Sequence, residues 1–159
     1  MKNLKGPALF LAQFAGDDTF IGGAGDDTIF GEGGDDTITG GTGADTLSGG
    51  AGRDTFVGGT DGDVVDGGSE GTDFDVLDLR GEGLFEVVNQ TPDANGNGTN
   101  GTVNFLDGDG NVTGTLQFTE IEQILGDQVI TDPDAPVAVD DAAQTDEDTS
   151  VVINVLDND

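Results

Sequence analysis

The chain has 159 residues, with 33 acidic side chains against 4 Lys plus Arg and a formal charge of −29. That balance excludes nonspecific binding to nucleic-acid phosphates and favours divalent cations as partners. Cys and His are absent, which removes disulfides, thiolate chemistry, the common zinc sites and every His-based triad, and no run reaches the roughly 18 apolar residues that span a bilayer.

Residues 1–15, MKNLKGPALFLAQFA, differ in character from the glycine-rich sequence after them. Residues 8–14 predict a strand or a short helix, read as an N-terminal cap with Phe10 and Phe14 inward or as a segment foreign to the module. No signal-peptide cleavage pattern accompanies them. Residues 16–21, GDDTFI, are a partial copy of the unit that comes next.

Residues 22–57 read GGAGDDTIF, GEGGDDTIT, GGTGADTLS and GGAGRDTFV, tandem nonamers of the form G-G-x-G-x-D-x-U-x with U a large apolar residue. The apolar residue recurs at Phe20, Ile29, Ile38, Leu47, Phe56 and Val65, and Thr precedes most of them. An x-U-x triplet predicts a short strand with one inward side chain, and the six residues before it predict a turn, where glycine lets carbonyls approach a common point. Position six is kept as Asp18, Asp27, Asp36, Asp45, Asp54 and Asp63, whereas position five varies as Asp17, Asp26, Asp35, Ala44 and Arg53. Position five is therefore expected to face solvent and position six to carry the chemistry. Hard divalent cations such as calcium take six to eight oxygens, from carboxylates and carbonyls alike.

Residues 58–66, GGTDGDVVD, are a worn copy in which Asp61 replaces the third glycine while Asp63 and Val65 keep their places. Residues 67–79 carry an insertion of about three residues before Asp75, Leu77 and Leu79 resume the pattern, as terminal repeats that cap a stack are expected to do. Asp73 and Asp75 are both candidate ligands there. Residues 84–90, 102–106 and 112–118 predict strands of a small antiparallel cap over residues 80–125, which FTEIEQIL at 118–125 ends. Residues 126–136 read as a linker.

The nonamers resemble RTX calcium-binding repeats. The resemblance implies an all-β fold, a right-handed parallel β-roll over residues 16–79 with two nonamers per coil and ions between turns one coil apart. It implies that Asp18 pairs with Asp36, Asp36 with Asp54, Asp27 with Asp45 and Asp45 with Asp63, with Asp75 at the end. Carbonyls of Gly22, Gly23, Gly25, Gly31, Gly33, Gly34, Gly40, Gly41, Gly43, Gly49, Gly50, Gly52, Gly58 and Gly59 would complete the shells, for roughly four or five calcium ions by ladder counting. With one apolar residue per nine and stacked carboxylates, folding is expected to be coupled to metal. Residues 137–159 resemble the start of a cadherin-like module of bacterial surface proteins, through Thr145, Glu147, Asp148, Thr149 and the LDND at 156–159. These resemblances imply calcium binding that folds and stabilises a secreted, extracellular or surface-exposed adhesin-type protein with a cell-surface or matrix target. The alternative is the secretion and stability module of an extracellular RTX protease or lipase, and the chain itself is not expected to be an enzyme.

Three further patterns read more simply. Gly67, Ser69 and Gly71 satisfy G-x-S-x-G, but no His can partner the serine. Asp93, Asn95, Asn97 and Gly98 match half of an EF-hand loop without its closing Glu, and Asp107, Asp109 and Asn111 do the same, so both predict hairpin loops. The Thr row at position seven lacks the second regular column of an ice-binding face, and strand propensity accounts for it.

Overall fold

The computed structural model describes residues 2–3, 10–12, 16–68, 73–94, 96, 98–127 and 129–130. The strands in chain order are β1 (Lys2–Asn3), β2 (Phe10–Ala12), β3 (Thr19–Ala24), β4 (Thr28–Gly33), β5 (Thr37–Thr42), β6 (Thr46–Ala51), β7 (Thr55–Val57), β8 (Val64–Asp66), β9 (Val76–Asp78), β10 (Leu84–Pro92), β11 (Thr99–Leu106), β12 (Val112–Ile121), β13 (Gln123–Leu125) and β14 (Val129–Ile130). No helix is present among the described residues.

Strands β3 to β6 are six residues long, not three, because each runs past its x-U-x triplet into the G-G-x of the following repeat. The apolar residue points inward, and two residues on the position-one glycine points inward as well. It is buried without filling space, and the ladder continues through Gly23↔Gly41 and Ala24↔Thr42. The turn is thus shorter than the sequence predicts, essentially the G-x-D of each repeat.

Successive repeats alternate between two parallel sheets. One has the order β1-β3-β5-β7-β9-β13 and the other contains β2, β4, β6 and β8 side by side. Thr19 lies beside Thr37 and Thr28 beside Thr46, so one coil is two nonamers. This is an all-β parallel β-roll. Its core is two stacked files, Phe20, Ile38, Phe56 and Leu77 on one sheet and Ile29, Leu47 and Val65 on the other, all buried. At the N-terminal end β1 pairs with β3 and β2 with β4, both parallel, so these strands add to the roll. Phe14 lies outside the described residues, as do Ser69 and Gly71, Asn95 and Asn97, and the cadherin-like stretch 137–159.

The antiparallel strands β10, β11 and β12 form a meander, as expected, but not as a separate cap. Strand β12 lies between β11 and β8, with Gln117 and Phe118 pairing antiparallel to β11 on one edge and parallel to β8 on the other, and β13 pairs in parallel with β9. Phe118 stacks on Val65 and Ile124 on Leu77. FTEIEQIL is therefore a further coil of the roll, and the meander is an extension of one roll sheet, with Phe85, Val87, Val103 and Leu116 continuing the core.

Candidate metal centre

The position-six aspartates form two ladders, one on each side of the roll. In the first, the backbone N–H of Asp18 donates to Asp36 Oδ1, that of Asp36 to Asp54 Oδ1 and that of Asp54 to Asp75 Oδ1, each at 2.8 Å. In the second, Asp27 N–H donates to Asp45 Oδ1 and Asp45 N–H to Asp63 Oδ1, also at 2.8 Å. Asp27, Asp36, Asp45, Asp54, Asp63 and Asp75 are all buried, whereas Asp17, Asp26 and Asp35 at position five are not. Position five is not idle, however. Asp17 Oδ1 accepts the Asp35 N–H, Asp26 Oδ1 the Ala44 N–H and Asp35 Oδ1 the Arg53 N–H. An outer ladder of exposed hydrogen bonds thus runs beside the buried one, with donor and acceptor reversed along the stack.

In four of the buried aspartates one oxygen is committed to the ladder and the other is not. Oδ2 of Asp36, Asp45, Asp54 and Asp75 is shielded from solvent and has no hydrogen-bond partner. Each of these oxygens aims at the position-one glycine of its own repeat. Asp27 Oδ2 has the same aim: a Cβ placed on Gly22 would stand 2.5 Å from it and 2.6 Å from the carbonyl oxygen of Gly40, one coil away. On Gly31 a Cβ would meet Asp36 Oδ2 and the Gly49 carbonyl, on Gly40 Asp45 Oδ2, and on Gly49 Asp54 Oδ2 and the Gly67 carbonyl at 2.7 Å. The position-one glycine is therefore the floor of an oxygen-lined niche that any side chain would fill.

The other candidate glycines divide by role. Gly23, Gly41 and Gly50 at position two and Gly25, Gly34, Gly43 and Gly52 at position four have positive φ, and a Cβ on Gly41, Gly50, Gly34, Gly43 or Gly52 would strike the backbone of the coil before it. They set the coil spacing. Glu32 occupies position two at φ 72°, where the other full repeats use glycine. Gly33, at position three, has no crowded Cβ position, and its carbonyl accepts the Gly16 N–H at 2.6 Å. In the worn repeat Gly58 lies near Glu82 in the turn before β10, and a Cβ on Gly59 would strike Leu116 of β12, so Gly59 faces the meander. Asp63 ends its ladder with protein donors: its Oδ2 accepts the Thr60 N–H at 2.7 Å, and the Thr60 hydroxyl donates to the Gly43 carbonyl.

Burial of carboxylates beside like charges has an electrostatic signature. Burial pushes Asp36, Asp45 and Asp63 above the ordinary carboxylate range, opposed by the N–H each accepts and reinforced by neighbouring carboxylates. Asp54 is pushed up to about 6 and Asp75 to about 7 for the same reasons, burial first. Among the described residues no three acidic side chains gather into one chelating group, so backbone carbonyls would have to supply oxygens too. An all-oxygen donor set of carboxylate plus carbonyl fits a hard divalent cation and not a soft one.

The half-EF-hand patterns are turns. Asp93 accepts the Gly96 and Gly98 N–H groups, the latter at 2.6 Å, and Asp107 accepts those of Asp109 and Asn111. Sequence reasoning missed Glu122. Its Oε2 accepts the Asp75 N–H at 2.5 Å, the place the next position-six aspartate would take. The signal was present: Glu122-Gln123-Ile124 repeats D-x-U with Glu for Asp, and the Gln123 N–H donates to the Asp75 carbonyl as Thr37, Thr55 and Val76 do to Asp18, Asp36 and Asp54.

Stacked coils, a glycine floor and uncommitted carboxylate oxygens in successive turns define a cation-binding parallel β-roll. Residues 14–47 and 39–71 match the RTX calcium-binding nonapeptide repeat. The repeats are thus of the calcium-binding kind. Among solved structures, the chain is similar to the solution structure of the AlgE6R3 subunit from the Azotobacter vinelandii mannuronan C5-epimerase, at 20% identity and a TM-score of 0.49 over 94% of each chain. No curated protein matches the chain.

Proposed function

We propose that calcium held in these niches drives the roll to fold and keeps it rigid outside the cell. The ligands in this reading are Oδ2 of Asp27, Asp36, Asp45, Asp54 and Asp75 together with position-one carbonyls such as those of Gly40, Gly49 and Gly67. The observation that carries it is the set of buried, partnerless Oδ2 atoms of Asp36, Asp45, Asp54 and Asp75, crowded against position-one glycines. Leaving such atoms without a counter-ion is costly, and a cation removes both the lost hydrogen bonding and the repulsion. The thin core, one large apolar residue per nonamer, leaves the metal to supply much of the folding free energy. Calcium titrated into a chelated sample is expected to give a cooperative gain of β signal in far-UV circular dichroism, reversed by chelator and not reproduced by magnesium. A spectrum already β-rich without calcium, and unmoved by it, would overturn the proposal.

The wider role rests on the same chemistry. A module that orders only where calcium is plentiful suits a secreted or surface-exposed protein, and an adhesin-type parent accords with the cadherin-like pattern of residues 137–159. An antibody raised against the repeats should label intact cells in calcium; labelling only after lysis would count against this role.

A further inference from the structure

The roll does not end where the nonamers end. Gly67 occupies position one of the last coil, and a Cβ placed on it would meet Asp75 Oδ2 at 2.5 Å and, closer still, the carbonyl oxygen of Glu120. This is the arrangement found at Gly31 and Gly49, with one change: the opposing carbonyl comes from Glu120, in a segment far along the chain, instead of from the next repeat. Glu120 adopts φ 54°, a left-handed conformation that residues with a Cβ rarely take. Asp75 is 0% exposed and its Oδ2 has no hydrogen-bond partner. Glu122 spends Oε2 on the Asp75 N–H, while its Oε1 is shielded from solvent and likewise without a partner. The same Oε1 would lie 2.7 Å from a Cβ on Gly98, where Asp93 Oδ2 would lie at 2.8 Å, so Gly98 stands over this carboxylate.

We infer that the junction between the last repeat and the FTEIEQIL coil is a further calcium site, built from Asp75 Oδ2, the Glu120 carbonyl and Glu122 Oε1. It rests on the proposal that the repeats bind calcium, and it completes the niche of Asp75 with two residues from outside them. Its consequence is that calcium ties the meander to the roll: the coil of residues 118–125 docks through an ion shared with residues 67–75. Glu122 plays the part of a position-six aspartate lengthened by one methylene, reaching the rung from a segment that the repeat pattern does not cover.

The test uses the full chain and calcium alone. Ions bound per chain are counted by native mass spectrometry, and amide hydrogen exchange is followed along the calcium titration in wild type, E122Q and E122D. Gln keeps an acceptor for the Asp75 N–H but removes the charge; Asp keeps the charge and restores the family's usual residue. E122Q is expected to hold one ion fewer and to need about tenfold more calcium to protect residues 117–125, a loss of roughly 1.4 kcal/mol of coupling, with protection of residues 22–57 less affected. E122D is expected to keep the ion. An unchanged ion count in E122Q, or equal loss in both variants, would overturn the site while leaving the repeats' calcium binding intact. Failure of residues 22–57 of the wild type to gain protection with calcium would instead overturn the broader reading, and this site with it.

Discussion

In the meander β10–β12, several polar side chains meet polar partners, although Glu120 Oε2 is shielded from solvent without one. The Asn104 amide donates to Glu86, the Glu120 N–H to the Asn100 side chain and the Thr119 hydroxyl to Asp66. The roll beside it does the opposite, burying Asp36, Asp45 and Asp54 with one oxygen of each left over. Apolar side chains also face the core two residues apart at Phe85 and Val87 of β10 and at Leu116 and Phe118 of β12, while the roll supplies one large apolar residue per nonamer. One core runs through both regions, yet it is the roll that stacks half-satisfied buried carboxylates coil after coil. The lesson is that a fold can be left electrostatically incomplete, so that a ligand decides when it forms.

Chelation should open the widest gap between the two. Hydrogen exchange in excess chelator is expected to show residues 19–66 losing protection to near the unfolded rate, with the β10–β11 pairing losing less; uniform behaviour of both regions would break the contrast. Next in size is Gly49→Ala against Gly33→Ala. Neither glycine has positive φ, but only the first faces a niche. Gly49→Ala should cost at least about 2 kcal/mol of calcium-dependent stability through steric conflict with Asp54 and the Gly67 carbonyl, and Gly33→Ala within about 0.5 kcal/mol, measured by denaturant melts in calcium.

Asp45→Ala removes an oxygen from a niche and the acceptor for the Asp27 N–H. The calcium midpoint should rise about tenfold, consistent with a loss of about 1–3 kcal/mol, while Asp17→Ala, which gives up only an exposed hydrogen bond to Asp35, should shift it less than about twofold. Equal shifts would remove the distinction between the inner and outer ladders.

Acidity offers a smaller substitute for the metal. A carboxyl whose pKa is raised on folding holds its proton more tightly in the fold than in the open chain, so this stabilisation is present below the ordinary carboxylate range and fades as pH rises through about 6 for Asp54 and about 7 for Asp75. In chelator, β signal should therefore rise as pH falls from about 8 to about 5, and the calcium midpoint should worsen over the same window as protons compete. The smallest effect expected is Glu32→Gly, which relieves φ 72° and should raise the melting temperature by a few degrees, of the order of 0.5–1 kcal/mol after glycine's own entropic cost.

Much of this was legible in the nonamers. A fixed period places Phe20, Ile38 and Phe56 in one file and Ile29 and Leu47 in the other, and the kept aspartate marks the buried ladder. Strand length was not legible, because a glycine at position one looks like turn chemistry when its actual role is to be small inside a strand. The outer ladder of Asp17, Asp26 and Asp35 was hidden by the variability of position five, since a hydrogen bond to the backbone constrains only the residue that accepts it. Glu122 was only faintly legible: Glu122-Gln123-Ile124 echoes D-x-U, but its rung spans 47 residues and no local period reaches that far.

The rung from Asp54 to Asp75 spans 21 residues where its neighbours span 18, yet Phe56 still lies beside Leu77 and Val57 beside Asp78. Register in this roll is a property of the strands, and contour length between them is nearly free: closing a somewhat longer connection costs only about 0.6 kcal/mol per doubling. The side of the roll bearing that longer connection is accordingly a place where foreign sequence can be grafted, a port for new surface loops on a scaffold that keeps its count of coils.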